Sequence, residues 1–194
     1  MTADPAVVER ARQGDIDAFN ELVRLHQNQV YGLCLRMLGQ PAAAEDAAQE
    51  TFVAAWRNLR GLRGDRFQPW LLRIAANVCT DELRRRKRRP GVSLELTLEA
   101  GAVQPADPAP LPEASALSGE LRGAIERSLL ALSEEQRLAV ILSDIEGLDY
   151  QEIAVVMGTS LGTVKSRLSR ARAQLRLLLL RERELLPAQF RPQS

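Results

Sequence analysis

The chain is 194 residues long, 45% apolar and 26% charged with a formal net charge of +1, a composition that supports a packed core and argues against wholesale disorder. One histidine, two cysteines and no C-x-x-C, G-x-x-x-x-G-K-[ST], G-x-G-x-x-G or G-x-S-x-G pattern exclude a disulfide framework, a zinc site without carboxylates and the common phosphate-binding and acyl-transfer sites. No apolar run approaches the roughly 20 residues that span a bilayer, and Asp4 and Glu9 stand where a secretory leader is apolar, so a cytoplasmic protein without membrane insertion is expected.

In chain order, Asp15 suits an N-cap, and Phe19, Leu22, Val23, Val30, Leu33, Cys34 and Met37 recur at helical spacing until Gly39 and Pro41 break the pattern. This predicts one long helix. A second is expected from about Ala42 to Leu59 with Phe52, Val53, Trp56 and Leu59 on its apolar side. Gly61 and Gly64 open a loop, and a third helix starts near Pro69 and continues through Leu71, Ile74, Val78 and Leu83. Cys34 and Cys79 fall in apolar helical surroundings and read as buried free thiols.

Residues 1–90 carry 15 Lys+Arg against 11 Asp+Glu, residues 91–120 carry none against 5, and residues 121–194 carry 11 against 9. Two basic blocks therefore flank an acidic stretch, whose Pro105, Pro108, Pro110 and Pro112 among Ala and Gly predict a flexible linker over 91–120. Leu117 to Leu132, Glu134 to Ile145, Tyr150 to Met157 and Leu161 to about Leu186 read as four further helical segments. The expected fold is all-α: two small helical domains, 1–90 and 121–194, joined by a flexible acidic linker.

The sharpest local signal lies in the last two helices. Asp149 can cap the first with Glu152 as its capping-box partner, and Gly158 supplies a left-handed stop before Thr159 and Ser160. Ser160 can cap the next, in which Leu161, Val164, Leu168, Ala171 and Leu175 form one apolar seam. At roughly 100° per residue, Gly162, Lys165, Ser166, Ser169, Arg170 and Ala173 point away from that seam, with Arg167, Arg172 and Arg176 along its flanks. This is a helix-turn-helix layout. Lys165 and Arg170 can donate to guanine N7 and O6, Ser166 and Ser169 to either base type, and the flanking arginines to phosphates. A solvated cationic face on an ordinary helical hairpin is the alternative, and a recognition helix alone does not separate a repressor, an activator and a polymerase subunit.

In the first domain, Glu45, Asp46, Gln49 and Glu50 cluster on the polar side of the second helix. Acids there suit the helix dipole, and they equally form a DNA-repelling, hydrogen-bonding surface for a partner. Arg63-Gly64-Asp65-Arg66-Phe67-Gln68-Pro69-Trp70, a helix bearing Arg73 and Asn77, and then Arg84-Arg85-Arg86-Lys87-Arg88-Arg89 interleave cations with aromatic and amide groups, as binding of single-stranded nucleic acid requires. Trp70 also reads as a core anchor, and the basic run as a solvated helix end or a phosphate-attracting patch.

Glu45-Asp46-Ala47-Ala48-Gln49-Glu50-Thr51-Phe52, Trp70-Leu71-Leu72-Arg73-Ile74-Ala75-Ala76-Asn77, and Tyr150-Gln151-Glu152-Ile153-Ala154 followed by Gly162-Thr163-Val164-Lys165-Ser166-Arg167-Leu168 resemble bacterial RNA polymerase sigma factors of the extracytoplasmic-function (ECF) class. The resemblance covers both domains. It implies a specificity subunit that is not an enzyme, needs no cofactor and no metal, and works with core RNA polymerase, promoter DNA and an anti-sigma factor that is released under stress. It assigns Asp46, Gln49 and Glu50 to the β′ clamp helices, and Arg63, Gly64, Asp65, Arg66, Phe67, Gln68 and Asn77 to the unpaired strand of the minus-ten element. Lys165, Ser166, Arg167, Ser169, Arg170 and Arg172 fall to the minus-thirty-five duplex, in a domain that also meets the β flap. Leu177 to Leu180 are either core or an anti-sigma contact. Ser160 stands where a proline is common in this family and Asp149 where a serine or threonine is, yet both still cap helices.

In that family the two elements lie about 17 base pairs, hence about 58 Å, apart. The linker reaches about 100 Å extended and about 30 Å as a free coil, so it permits the spacing without setting it. A dimeric regulator explains only the C-terminal half, and a carboxylate-based nuclease or hydrolase using Glu45, Asp46 and Glu50 is the remaining enzymatic reading.

Overall fold

Asp4 accepts a hydrogen bond from the Ala6 N–H at 2.9 Å and Pro5 supplies the first helical φ, so a short helix, α1 (Pro5–Arg12), precedes those expected from periodicity. The computed structural model describes residues 4–62, 64, 66–88 and 112–181. Asp15 caps α2 (Ile16–Leu38) by accepting from the Asp17 and Ala18 N–H groups, both at 3.0 Å, and Gly39 ends it at φ +72°. Pro41 opens α3 (Pro41–Asn58), and a 3₁₀ turn (Leu59–Gly61) leads toward α4 (Phe67–Arg88). Cys34 and Cys79 are both buried and unpaired.

Of the expected apolar side of α3, Leu59 is buried and Phe52 and Trp56 pack against the core, whereas Val53 does not. Ala44, Ala47, Thr51 and Ala55 are buried, Phe52 and Trp56 are half-buried, and Val53 is 49% exposed. Small side chains let α3 approach its neighbours closely, and the one polar member, Thr51, donates its hydroxyl to the Ala47 carbonyl at 2.7 Å. Around them Phe19 tilts onto Trp56 at 4.9 Å, and Phe67 lies between His26 at 5.3 Å and Trp70 at 5.7 Å. Trp70 is thus half-buried against the core.

In the second half, α5 (Pro112–Leu130) begins earlier than expected, so the stretch assigned to the linker contributes its residues from 112 onward to a helix. A proline fits the first helical position, where no N–H is needed. The rest of that stretch, 91–111, lies outside the described residues. Ser133 and Gln136 form a capping box at the start of α6 (Glu134–Val140), which continues as a π turn (Ile141–Ile145) rather than as regular helix. The Glu146 N–H donates to the Ile141 carbonyl at 2.9 Å across this widened turn. The helices α7 (Tyr150–Met157) and α8 (Leu161–Arg181) complete the fold, and an extension of α8 to Leu186 would lie outside the described residues. The two halves share one apolar core: α4 packs on α7, and α2 on α5 and α6.

Candidate nucleic-acid interface

The helix-turn-helix is set by three caps. Asp149 accepts the Glu152 N–H at 2.8 Å while Glu152 accepts the Asp149 N–H at 3.1 Å, Gly158 stops α7 at φ +59°, and Ser160 Oγ accepts the Thr163 N–H at 3.1 Å. Val164, Leu168 and Ala171 then anchor α8 inward. Leu175 is half-buried; Leu161, expected in the same seam, is exposed because it begins the helix beyond the end of that packing. Lys165, Ser166, Ser169 and Arg170 are exposed together on the outward face, and Arg167 is half-buried on its flank. Ser166 donates its hydroxyl to the Thr163 carbonyl at 3.0 Å, and Arg170 folds back over Ser166, donating to its carbonyl at 3.2 Å.

Arg172, exposed on the flank of α8, is paired within the fold. Its Nε donates to Asp144 Oδ2 at 3.0 Å and its Nη2 to Asp144 Oδ1 at 2.5 Å and to Ser143 Oγ at 3.1 Å. The Arg172 hydrogen bond holds the Asp144 carboxyl below its usual range despite partial burial, and Asp144 in turn raises the arginine. A fork paired with a carboxylate in this way braces α8 against the π turn, and a phosphate would compete with Asp144 for it. The partner is 28 residues away in sequence, beyond the reach of helical periodicity.

On α3, Asp46, Gln49 and Glu50 are all exposed, as is Val53 one turn farther on. An acidic, amide and apolar stripe results, with Val53 as a member that sequence periodicity had turned inward. The spacing of the four small buried residues was the signal that could have corrected it.

In the loop before α4, Arg63 and Asp65 lie outside the described residues; Gly64 is exposed at φ +77°, and Gln68 is half-buried. Phe67, expected at the unpaired strand, is 1% exposed. Its ring is core, and stacking on a base would require its extraction at a cost of about 1.5–3 kcal/mol. Asn77 is exposed on α4 and shares an open groove of about 810 Å³ with Glu50, Asn58, Asp81, Arg85 and Arg88, so residues assigned to two different partners border one depression.

Along the basic run, Arg84 pairs with Asp81 at 3.3 Å, Arg85 and Arg86 both pair with Glu82, and Lys87 pairs with Glu134 at 2.8 Å. Burial pushes the Glu82 carboxyl up, but Arg86 and Arg85 outweigh it and hold the group below its usual range. Arg66 reaches Glu152 of the helix-turn-helix at 3.1 Å. No cluster of metal-ligating side chains occurs among the described residues.

Comparisons with known proteins agree with this geometry. The family pattern of Sigma-70 region 2 matches residues 22–89, and that of Sigma-70, region 4 matches residues 122–175. The chain is 39% identical over 174 residues to the RNA polymerase sigma-H factor of Pseudomonas aeruginosa, covering 87% of this chain and 90% of that one. It is 35% identical over 173 residues to the ECF RNA polymerase sigma factor SigW of Bacillus subtilis, covering 87% and 92%. The structure resembles the sigma factor RpoE of Bartonella quintana, solved in complex with the anti-sigma factor NepR, with a TM-score of 0.68 at 29% identity over 83% of this chain and 96% of that one.

Proposed function

The chain belongs to the extracytoplasmic-function family of RNA polymerase sigma factors, and from that membership we propose that it joins core RNA polymerase, directs it to specific promoters and supports DNA opening without a catalytic step of its own. Residues 1–90 act as region 2 and 121–194 as region 4, with 91–120 as the tether between them. Asp46, Gln49 and Glu50 dock on the β′ clamp helices, and the exposed Val53 adds apolar contact to the same stripe. Gly64, Arg66, Gln68 and Asn77, with Arg63 and Asp65, meet the unpaired strand, while Phe67 holds their helix in the core. Trapping an extruded base there offsets the few kcal/mol of unstacking that opening requires.

Lys165, Ser166, Ser169 and Arg170 read the upstream duplex with Arg167 at their flank, and Arg172 keeps α8 in place through Asp144. The protein works in the cytoplasm with the polymerase, and a stress-released anti-sigma factor holds it inactive. The relative solved with such a factor supports that part of the reading.

One observation carries the proposal: a single chain presents a cationic recognition face on α8 and an acidic face on α3, one suited to DNA and the other to a protein. Run-off transcription with purified core polymerase on a random-promoter library tests it. Products should form only when the chain is added, from templates sharing two separated sequence blocks. Absence of promoter-dependent product, together with duplex binding that is equally tight without polymerase, would refute it.

A further inference from the structure

The outward face of α8 carries a chain of small hydroxyl groups that ends on Arg170. Ser160 Oγ accepts the Thr163 N–H at 3.1 Å and lies 2.9 Å from Thr163 Oγ1, which fixes the first turn. The Thr163 carbonyl then takes the Ser166 hydroxyl proton at 3.0 Å. Ser166 Oγ in turn accepts from Arg170 Nη2 at 3.3 Å, while the Ser166 carbonyl accepts from Arg170 Nε at 3.2 Å. A serine hydroxyl has one proton and two lone pairs, so the proton of Ser166 and one of its lone pairs are already in use. Toward DNA it retains one acceptor site and no donor.

The consequence falls on the arginine. Nε and Nη2 share one edge of the planar guanidinium, and Ser166 occupies that edge with its hydroxyl and its carbonyl. The opposite edge, Nη1 with the second proton of Nη2, is left for a ligand on a side chain that is exposed. Two parallel N–H groups of this kind match N7 and O6 of one guanine. Ser169 and Ala173 beside it are exposed and too small to cover it. Both groups that hold the arginine are neutral, and α8 contains no Asp or Glu from Leu161 to Arg181, so its own helix leaves the charge of the fork undiminished. On α4, by contrast, Arg85 and Arg86 are both held by the Glu82 carboxylate.

We propose that Ser166 is a positioning residue for Arg170: it orders the arginine before DNA arrives, so that the open edge meets N7 and O6 of one guanine in the upstream element. Ser166 thus acts on sequence through that arginine rather than through a base contact of its own. This deepens the sigma-factor reading and rests on it for the identity of the duplex. The rotamer freedom of a long side chain is then lost on folding instead of on binding, and removing that order should weaken recognition of the guanine roughly two- to tenfold.

Competition binding of reconstituted holoenzyme to duplex promoters randomised across the upstream element tests it, with wild type, Arg170→Ala, Ser166→Ala and the double variant. Arg170→Ala should lose the preference for guanine at one position. Ser166→Ala should weaken the preference at that same position roughly two- to tenfold, leave the other positions and the melting temperature as in wild type, and have no further effect once Arg170 is replaced. A guanine analogue lacking N7 at that position should narrow the gap between wild type and Ser166→Ala. A Ser166→Ala effect at a different position, an effect that adds in full to that of Arg170→Ala, or no effect at any position overturns the positioning role and leaves the sigma reading standing. A wild-type holoenzyme with no upstream sequence preference overturns both.

Discussion

Acidification is expected to destabilise the first helical half through the chain's one histidine. His26 is 2% exposed, packs against Phe67 and donates from Nδ1 to Gln29, which leaves Nε2 unprotonated and buried with no hydrogen-bond partner. A proton placed there would be a charged donor with no acceptor. Burial lowers the His26 pKa below its ordinary 6.5, against a smaller raising effect of the Gln29 hydrogen bond. The unfolded chain therefore takes up a proton near 6.5 while the folded chain resists it, so stability is full above that pH and declines as the pH drops toward the folded pKa. If the folded ring stays neutral throughout, the loss between about pH 7.5 and about pH 5.5 reaches ~1.4 kcal/mol, the equivalent of one pH unit of linkage. Glu146, joined through Gln29, acts with the opposite sign. Burial raises its pKa above the ordinary 4.5 despite Gln29 and Arg36, so its ionisation weakens the fold as pH rises. Urea unfolding of wild type and His26→Leu at both pH values separates the two, because Glu146 is common to both chains. The variant should be less stable by about 1 kcal/mol at neutral pH, from the lost hydrogen bond, and should lack the histidine-linked acid loss. A variant with the same pH dependence as wild type would refute the reasoning.

Other substitutions probe the remaining parts. Leu168→Ala, at a site 1% exposed between Val164 and Ala171, should cost about 2–5 kcal/mol in urea unfolding and loosen α8; a loss below about 1 kcal/mol would remove the seam from the core. Arg170→Ala should leave the melting temperature unchanged and weaken holoenzyme binding to the upstream element by about 1–3 kcal/mol in a competition assay. Asp46→Arg on the exposed face of α3 should lower affinity for core polymerase about tenfold or more in a pull-down titration without altering the helical circular dichroism signal. Asp144→Asn should cost about 0.5–1 kcal/mol, discounted for a pair that is partly exposed. Because the Asp144 pKa is lowered on folding, that difference should be present at neutral pH and vanish in acid below the folded pKa.

Features set by neighbours within four residues were legible in the sequence. The caps at Asp15, at Asp149 with Glu152, and at Ser160, and the left-handed stops at Gly39 and Gly158, all depend on a side chain and backbone a few positions apart. The exposed face of α8 was legible for the same reason, since Val164, Leu168 and Ala171 identify its opposite side. Where bulk misled, the reading failed. On α3, Phe52 and Trp56 do pack against the core, but Val53 beside them was taken inward with them, while the most buried positions fall to the small Ala44, Ala47 and Ala55. The eight-residue α1 buries only Val8 and Ala11, too short a repeat to stand out, and the π turn after α6 shifts hydrogen bonding without a distinct residue pattern.

Partners distant in sequence decide the rest, and the arginines show why. Composition alone makes Arg86, Arg137, Arg170 and Arg172 equivalent cations. In the structure, Arg86 is held by Glu82, Arg137 by carbonyls from both halves and Arg172 by Asp144, whereas Arg170 stays on the exposed face of α8 and touches only its own helix. A guanidinium paired with a carboxylate, or buried against several carbonyls, gives up more on turning to a phosphate or a base than one that rests on the exposed Ser166 of its own helix. Availability to DNA is thus set by tertiary partners: Asp144 28 residues from Arg172, and Met37 100 residues from Arg137. Arg172 and Asp144 both lie in the second half, so the brace that orients the recognition helix does not depend on the first half.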